Sequence, residues 1–134
     1  IATIVIFAVL SKFKDHSIDA FNGFAKKHPL VAFSMLICIL SLAGIPLTAG
    51  FFAKYYMLLA VIKDGAFLWL AIVAILCAAV SVYYYFRVVQ AMYFKEPNNE
   101  EDLEFSPSFR FILLGAAIII LVLGIHPDLL TRLL

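Results

Sequence analysis

The sequence has 134 residues, of which 65% are hydrophobic and only 14% are charged, and its formal net charge is +1. Soluble domains are about a quarter charged, so this chain lacks the residues for a hydrated surface, and a lipid bilayer is its natural solvent. The sequence has no basic block with interleaved aromatic residues, which argues against a nucleic-acid-binding protein.

Four apolar segments alternate with polar loops along the chain: residues 1–10, 29–62, 66–94 and 107–126. The three longer segments are too long and too continuously apolar for strands, so they predict helices. The first is shorter than the about 20 residues that a bilayer requires, and we expect it to be the end of a longer helix. The sequence thus predicts an all-α, polytopic transmembrane helix bundle. Residues 1–134 are expected to form a single transmembrane region, a fragment of a larger subunit.

The segment 29–62 is too long for one crossing. Its 34 residues would extend about 50 Å as one helix, against a hydrocarbon core of about 30 Å. Gly44, Pro46 and Gly50 interrupt it, since glycine permits unusual backbone angles and proline removes a helical donor. These residues predict two half-helices joined by an unwound turn that faces a polar interior. A simple proline kink without a further role is the alternative.

The loops before the second and fourth segments hold more basic residues than the remaining loop and the C-terminus. The first of them carries Lys12, Lys14, Lys26 and Lys27. By the positive-inside rule, the lysine-rich loops are expected to be cytoplasmic. We therefore predict an integral membrane protein.

Lys54 is the candidate for chemistry, because it lies about two turns beyond Pro46 and far from either end of its segment. A lysine at this depth is costly, by about 3 kcal/mol on insertion scales. Removal from water favours the neutral amine, so we predict a proton carrier. A lysine fixed by an ion pair to another helix is the structural alternative.

Further polar side chains at membrane depth are candidates for lining water beside this lysine. They are Thr48, Tyr55, Ser81 and Tyr84. We expect no metal site and no cofactor-binding site in this chain. Cys38 and Cys77 are single cysteines within apolar runs, and we interpret them as small apolar side chains.

Residues 41–56 read SLAGIPLTAGFFAKYY, and this stretch closely resembles the broken helix of the antiporter-like membrane subunits of respiratory complex I, NADH–quinone oxidoreductase. Residues 27–30, KHPL, and 82–89, VYYYFRVV, are similar to the same family. In that family, subunit M typically has a glutamate at the position of Lys54, and subunit L tends to follow the lysine with acidic residues. Here Tyr55 and Tyr56 follow, so the chain is most similar to the C-terminal part of the subunit N group.

The resemblance implies that the chain holds part of the family's second inverted repeat, with one discontinuous helix. It implies that Lys54 is a protonatable residue in proton translocation and that Gly44, Pro46 and Gly50 form the interruption. Redox chemistry would belong to partner subunits that hold FMN, iron–sulfur clusters and quinone.

The expected partners are the other membrane-arm subunits and the lipid bilayer, rather than nucleic acid or further copies of this chain. Two alternatives are a subunit of a multi-subunit cation/proton antiporter and a non-catalytic structural subunit.

Overall fold

The computed structural model describes residues 1–13, 17–65, 68–97 and 104–126. Every regular element in these ranges is helical. They are α1 (Ala2–Leu10), a 3₁₀ turn (Ile18–Phe21), α2 (Phe24–Lys27), α3 (Pro29–Ala43), α4 (Ala49–Asp64), α5 (Leu68–Phe94) and α6 (Pro107–Ile125). The all-α prediction is confirmed for this part of the chain. Lys14 and the predicted start of the third segment at residues 66 and 67 lie outside the described residues.

Two of the described helices, α5 with 27 residues and α6 with 19, are long and apolar enough to cross a membrane. The predicted segment 29–62 contains two shorter helices instead, α3 with 15 residues and α4 with 16. Residues 44–48 separate them. Proline is the first residue of both α3 and α6, where its missing N–H leaves no helical bond unmade.

The centre of the bundle is α3, which packs against α1, α4, α5 and α6. Its inward face is apolar and meets the inner faces of α1 and α6. The larger side chains that are fully buried there include Val9, Val31, Met35, Cys38 and Leu113. Because α3 is held on several sides, its carboxyl end has a defined position for the turn that follows it.

The longest helix, α5, is mostly exposed. Among its described residues only Ala71, Ala91 and Met92 are buried, whereas Trp69, for example, is 62% exposed. Large apolar side chains continue along the rest of its length. A surface of this kind suits contact with lipid or with further membrane helices rather than with water.

The two lysine-rich loops lie together at one end of the bundle. The N–H of Gly23 donates to the carbonyl oxygen of Ala91 at 3.0 Å, which joins the first loop to the end of α5. Lys95 pairs with Asp19 at 3.4 Å across the same junction. This pair is exposed and contributes little stability by itself.

A cluster of aromatic rings fills the space beneath these loops. The buried rings are Phe13, Phe21, Phe24 and Phe105. Phe13 and Phe21 have ring centroids 4.7 Å apart, and Phe24 contacts Phe105 edge-on at 6.0 Å. Tilted and edge-on contacts of this kind add to the free energy of burial. The cluster therefore fixes this end of α3 and α6, and the far end of α3 carries the helix interruption.

Candidate functional site

The carboxyl end of α3 closes in a Schellman motif. Gly44 has φ +82°, in the left-handed region that favours glycine, and its N–H lies 3.1 Å from the carbonyl oxygen of Ser41. The N–H of Ile45 donates to the carbonyl oxygen of Leu40 at 3.1 Å. These bonds satisfy two of the last carbonyl groups of α3 and leave those of Leu42 and Ala43 directed beyond the helix.

Lys54 supplies the donors for these two carbonyl groups. Its Nζ lies 2.7 Å from the oxygen of Leu42 and 3.1 Å from the oxygen of Ala43. The carboxyl end of a helix carries partial negative charge, so an ammonium group is stabilised there. Lys54 is therefore held across the interruption, with its backbone in α4 and its amine at the end of α3.

The start of α4 is also tied to α3. The N–H of Gly50, in the first turn of α4, donates to the side-chain Oγ of Ser41 at 3.1 Å. Thr48 precedes α4 and is buried, and its hydroxyl donates back to the carbonyl oxygen of Ile45 at 2.7 Å. The N–H of Gly50 and the hydroxyls of Ser41 and Thr48 are thus paired within the protein.

Two glycines allow the backbones around the interruption to approach closely. A Cβ on Gly50 would overlap the carbonyl oxygen of Ser41. A Cβ on Gly124, near the end of α6, would overlap the carbonyl oxygen of Leu47 and would lie 2.6 Å from the Cα of Thr48. The start of α4 thus lies directly against α3, and residues 47 and 48 of the interrupting segment lie directly against α6.

The interrupting segment also contains a strained residue. Leu47 has φ +77°, the only positive value among the described non-glycine residues. A leucine in the left-handed region costs about 1 kcal/mol. Pro46 precedes it and is exposed, outside both helices. Such strain persists where the surrounding contacts determine the backbone, here through Thr48 and Gly124.

The predicted site residues fall into two groups. The structure brings Gly44, Thr48, Gly50 and Lys54 together at the interruption, with Pro46 in its exposed part. Tyr55 is 48% exposed and its ring stacks on Phe51.

Ser81 and Tyr84 lie apart, on α5. The hydroxyl of Ser81 donates to the carbonyl oxygen of Cys77 in its own helix at 2.8 Å, and Tyr84 contacts Tyr83. Among the described residues, no hydrogen bond joins either side chain to Lys54.

Sequence reasoning did not assign three features of this site: the capping hydroxyl of Ser41, the close approach of Gly124, and the paired carbonyl groups of Leu42 and Ala43. Ser41 precedes Gly50 by nine residues, so no local capping pattern connects them. Gly124 lies two residues before His126 and so has the position of an ordinary helix-ending glycine. Every residue has a backbone carbonyl group, so the sequence does not mark the two that bind Lys54.

A cavity of about 510 Å³ lies beside the interruption, between α1, α4 and α6. Ser41, Gly50 and Tyr56 are in its wall, together with apolar side chains of α6. Elsewhere in the described ranges, His, Cys, Asp and Glu side chains form no group of three that could hold a metal ion. The polar groups that meet at the interruption are the Lys54 amine, the hydroxyls of Ser41 and Thr48, and backbone groups.

Residues 1–100 match the family described as NADH:quinone oxidoreductase/Mrp antiporter, TM. The chain is 39% identical over 121 residues to NADH-quinone oxidoreductase subunit N 1 of Thermodesulfovibrio yellowstonii, an alignment that covers 90% of this chain and 26% of the relative. It is 47% identical over 102 residues to NADH-quinone oxidoreductase subunit N of Bdellovibrio bacteriovorus, covering 75% of this chain and 21% of the relative. The chain thus spans about a quarter of the length of these relatives.

The fold is also similar to a solved structure. A chain of respiratory complex I from Thermus thermophilus, with bound aureothin, superposes with a TM-score of 0.86 at 32% sequence identity. The match covers 96% of this chain and 30% of that chain.

Proposed function

Because the chain belongs to the NADH:quinone oxidoreductase/Mrp antiporter transmembrane family, we propose that it takes part in proton translocation through the membrane arm of a respiratory complex I. Lys54 is the protonatable residue in this proposal. The observation that carries it is the contact of the Lys54 amine with two backbone carbonyl groups at the end of α3.

In this proposal Lys54 is a proton carrier rather than half of a fixed ion pair. In the part of the chain that the structure describes, Lys54 meets carbonyl oxygens and no carboxylate. A carboxylate at contact distance would hold the ammonium form strongly, whereas carbonyl groups accept hydrogen bonds from either form. Changes of charge elsewhere in the membrane arm would then shift the balance between the two forms. In each cycle Lys54 would accept one proton from water on one side and release it on the other.

The interruption between α3 and α4 has a defined part in this proposal. We assign it to the discontinuous helix of the second inverted repeat, with Gly44, Pro46 and Gly50 as the interrupting residues. Unwound backbone at membrane depth needs polar partners, and it is the natural point for water to approach Lys54.

Four side chains are proposed to line the water that exchanges protons with the lysine. Thr48 and Tyr55 would contribute from the start of α4 and from α4 itself, and Ser81 and Tyr84 would contribute from α5.

The redox steps belong to other subunits in this proposal. FMN, iron–sulfur clusters and quinone would be held by partners of the membrane arm and its attached domains, and this chain would need no cofactor of its own. The chain is an integral membrane protein; we place it in a bacterial inner membrane with the lysine-rich loops on the cytoplasmic side.

The test is the Lys54→Ala variant in the full-length subunit, assembled in its complex in native membrane vesicles. Proton uptake and NADH–quinone reductase activity are both expected to fall. Proton uptake should fall further, because the proton carrier is missing, so that fewer protons are taken up per NADH oxidised. Lys63→Ala is the matched control, since Lys63 is exposed in the last turn of the same helix, and both activities should persist. Normal proton uptake in an assembled Lys54→Ala complex would refute the proposal.

Purification separates two related functions. Recovery of the subunit with flavin- and iron–sulfur-containing partners supports the redox-driven pump. Recovery in a complex without them, with cation/proton exchange that needs no NADH, would instead identify a multi-subunit antiporter.

A further inference from the structure

Ser41 binds both sides of the helix interruption, one through its backbone and the other through its side chain. Its carbonyl oxygen accepts the N–H of Gly44 at 3.1 Å, as part of the closure of α3. Its Oγ accepts the N–H of Gly50 at 3.1 Å, at the start of α4. The side chain is buried, with 5% of the residue exposed. The relative position of the two helix ends therefore depends on this residue.

The position of Lys54 follows from the position of Gly50. Lys54 comes four residues after Gly50 in α4, so the two lie about one turn apart on nearly the same face. Contact between Gly50 and Ser41 thus places the Lys54 side chain beside the last carbonyl groups of α3. Gly50 has no side chain to hold α4 away, since a Cβ there would overlap the carbonyl oxygen of Ser41.

We propose that Ser41 is a positioning residue for proton transfer, which holds α4 in the register that keeps the Lys54 amine on the carbonyl groups of Leu42 and Ala43. The inference rests on the function proposed for Lys54. Without the hydroxyl, the N–H of Gly50 loses its buried acceptor and the first turn of α4 is released from α3. The amine would then spend less time at its two carbonyl groups.

Loss of the Ser41 hydroxyl should affect proton transfer more than it affects assembly of the complex. The readout is the number of protons taken up per NADH oxidised in the assembled complex, because this ratio does not depend on how much complex is present. If Ser41 had only a structural role, its substitution would lower the yield or the melting temperature of the complex and leave the ratio of protons to NADH unchanged.

Five variants of the full-length subunit, compared with Lys54→Gln alone, make the test. Ser41→Ala is expected to lower the ratio, and to speed hydrogen exchange at Gly50 roughly fivefold, as for loss of a helix cap. Ser41→Thr is expected to restore the ratio, because it keeps the oxygen and Ser41 borders the cavity of about 510 Å³, which has room for a methyl group. Ser34→Ala is the matched control, since Ser34 is buried in the same helix but bonds only to Leu30 of that helix. Ser41→Cys replaces Ser41→Ala if the latter does not assemble, since a thiol is a weaker acceptor.

The fifth variant combines Ser41→Ala with Lys54→Gln. If Ser41 acts through Lys54, the double variant should pump no less than Lys54→Gln alone. A normal ratio in assembled Ser41→Ala, or an equal loss in Ser34→Ala, would overturn the role of Ser41. Normal pumping by Lys54→Gln would overturn the proposed function itself, so the two failures are distinguishable.

Discussion

Gly44 faces the side chain of Lys54 across the helix interruption. A Cβ on Gly44 would lie 3.0 Å from the Cδ and 3.3 Å from the Nζ of Lys54. Gly44, which ends α3, and Lys54, which caps the last carbonyl groups of α3, thus share one small space. Any side chain at position 44 competes with the lysine for it.

Gly44→Ala should disturb both the backbone and the lysine. Alanine in the left-handed region costs about 1 kcal/mol. The added methyl group would also push the Lys54 side chain by a few tenths of an ångström and so weaken its bonds to Leu42 and Ala43. We expect a lower melting temperature of the purified complex and less proton uptake per NADH oxidised. Gly65→Ala is the matched control, because Gly65 has φ +69° with nothing within 4 Å of an added Cβ. It should lower the melting temperature alone; equal loss of proton uptake in both variants would contradict the contact with Lys54.

Lys54→Arg separates the capping of α3 from proton exchange. Arginine keeps a positive charge and several N–H donors for the carbonyl groups, but it does not lose its proton in proteins. The variant should therefore assemble with near-normal thermal stability and still fail to pump. Stability and proton uptake are measured on the same vesicle preparation. Pumping at the normal ratio by this variant would show that proton loss from residue 54 is not part of the cycle.

Local sequence signals account for the helix ends of this fold. Pro29 and Pro107 begin helices because their missing N–H falls in the first turn, where no helical bond is lost. Gly44 and Gly65 directly follow α3 and α4, and each adopts the left-handed conformation in which many helices end. Each of these signals acts within a few residues, so one sequence is enough to locate it.

The contacts that organise the site are not local, and this is why the sequence did not assign them. Ser41 meets Gly50, Lys54 meets Leu42, and Gly124 meets Leu47 across the interruption or across the bundle. Their partners are backbone groups, which every residue possesses, so no residue type marks them. The sequence did not predict the aromatic cluster beneath the lysine-rich loops for a similar reason. Its rings lie far apart in the sequence, from Phe13 to Phe105.

Gly124→Ala should lower the thermal stability of the assembled complex, whereas Gly115→Ala in the same helix should not. The Cβ at position 124 would overlap the backbone of Leu47, whereas an added Cβ at Gly115 meets nothing within 4 Å. Overpacking of this kind costs about 1–3 kcal/mol. Replacing a helical glycine by alanine otherwise stabilises a helix by about 0.5–1 kcal/mol. Melting temperatures of the two assembled variants should therefore move in opposite directions; a shared direction would mean that α6 does not press on the interruption.

Substitutions at Leu47 test whether the strain in the interruption is real. Leu47 has φ +77° and is 69% exposed, so its side chain contributes little buried surface. Glycine adopts this conformation without strain, and relief of about 1 kcal/mol offsets the flexibility that glycine adds to the unfolded chain. Leu47→Gly should therefore leave the melting temperature nearly unchanged. Leu47→Val should lower it clearly, because a β-branched side chain is least tolerated at positive φ. If valine were accepted as readily as glycine, the left-handed conformation at this position would be wrong, and with it the path of the chain from Gly44 to Thr48.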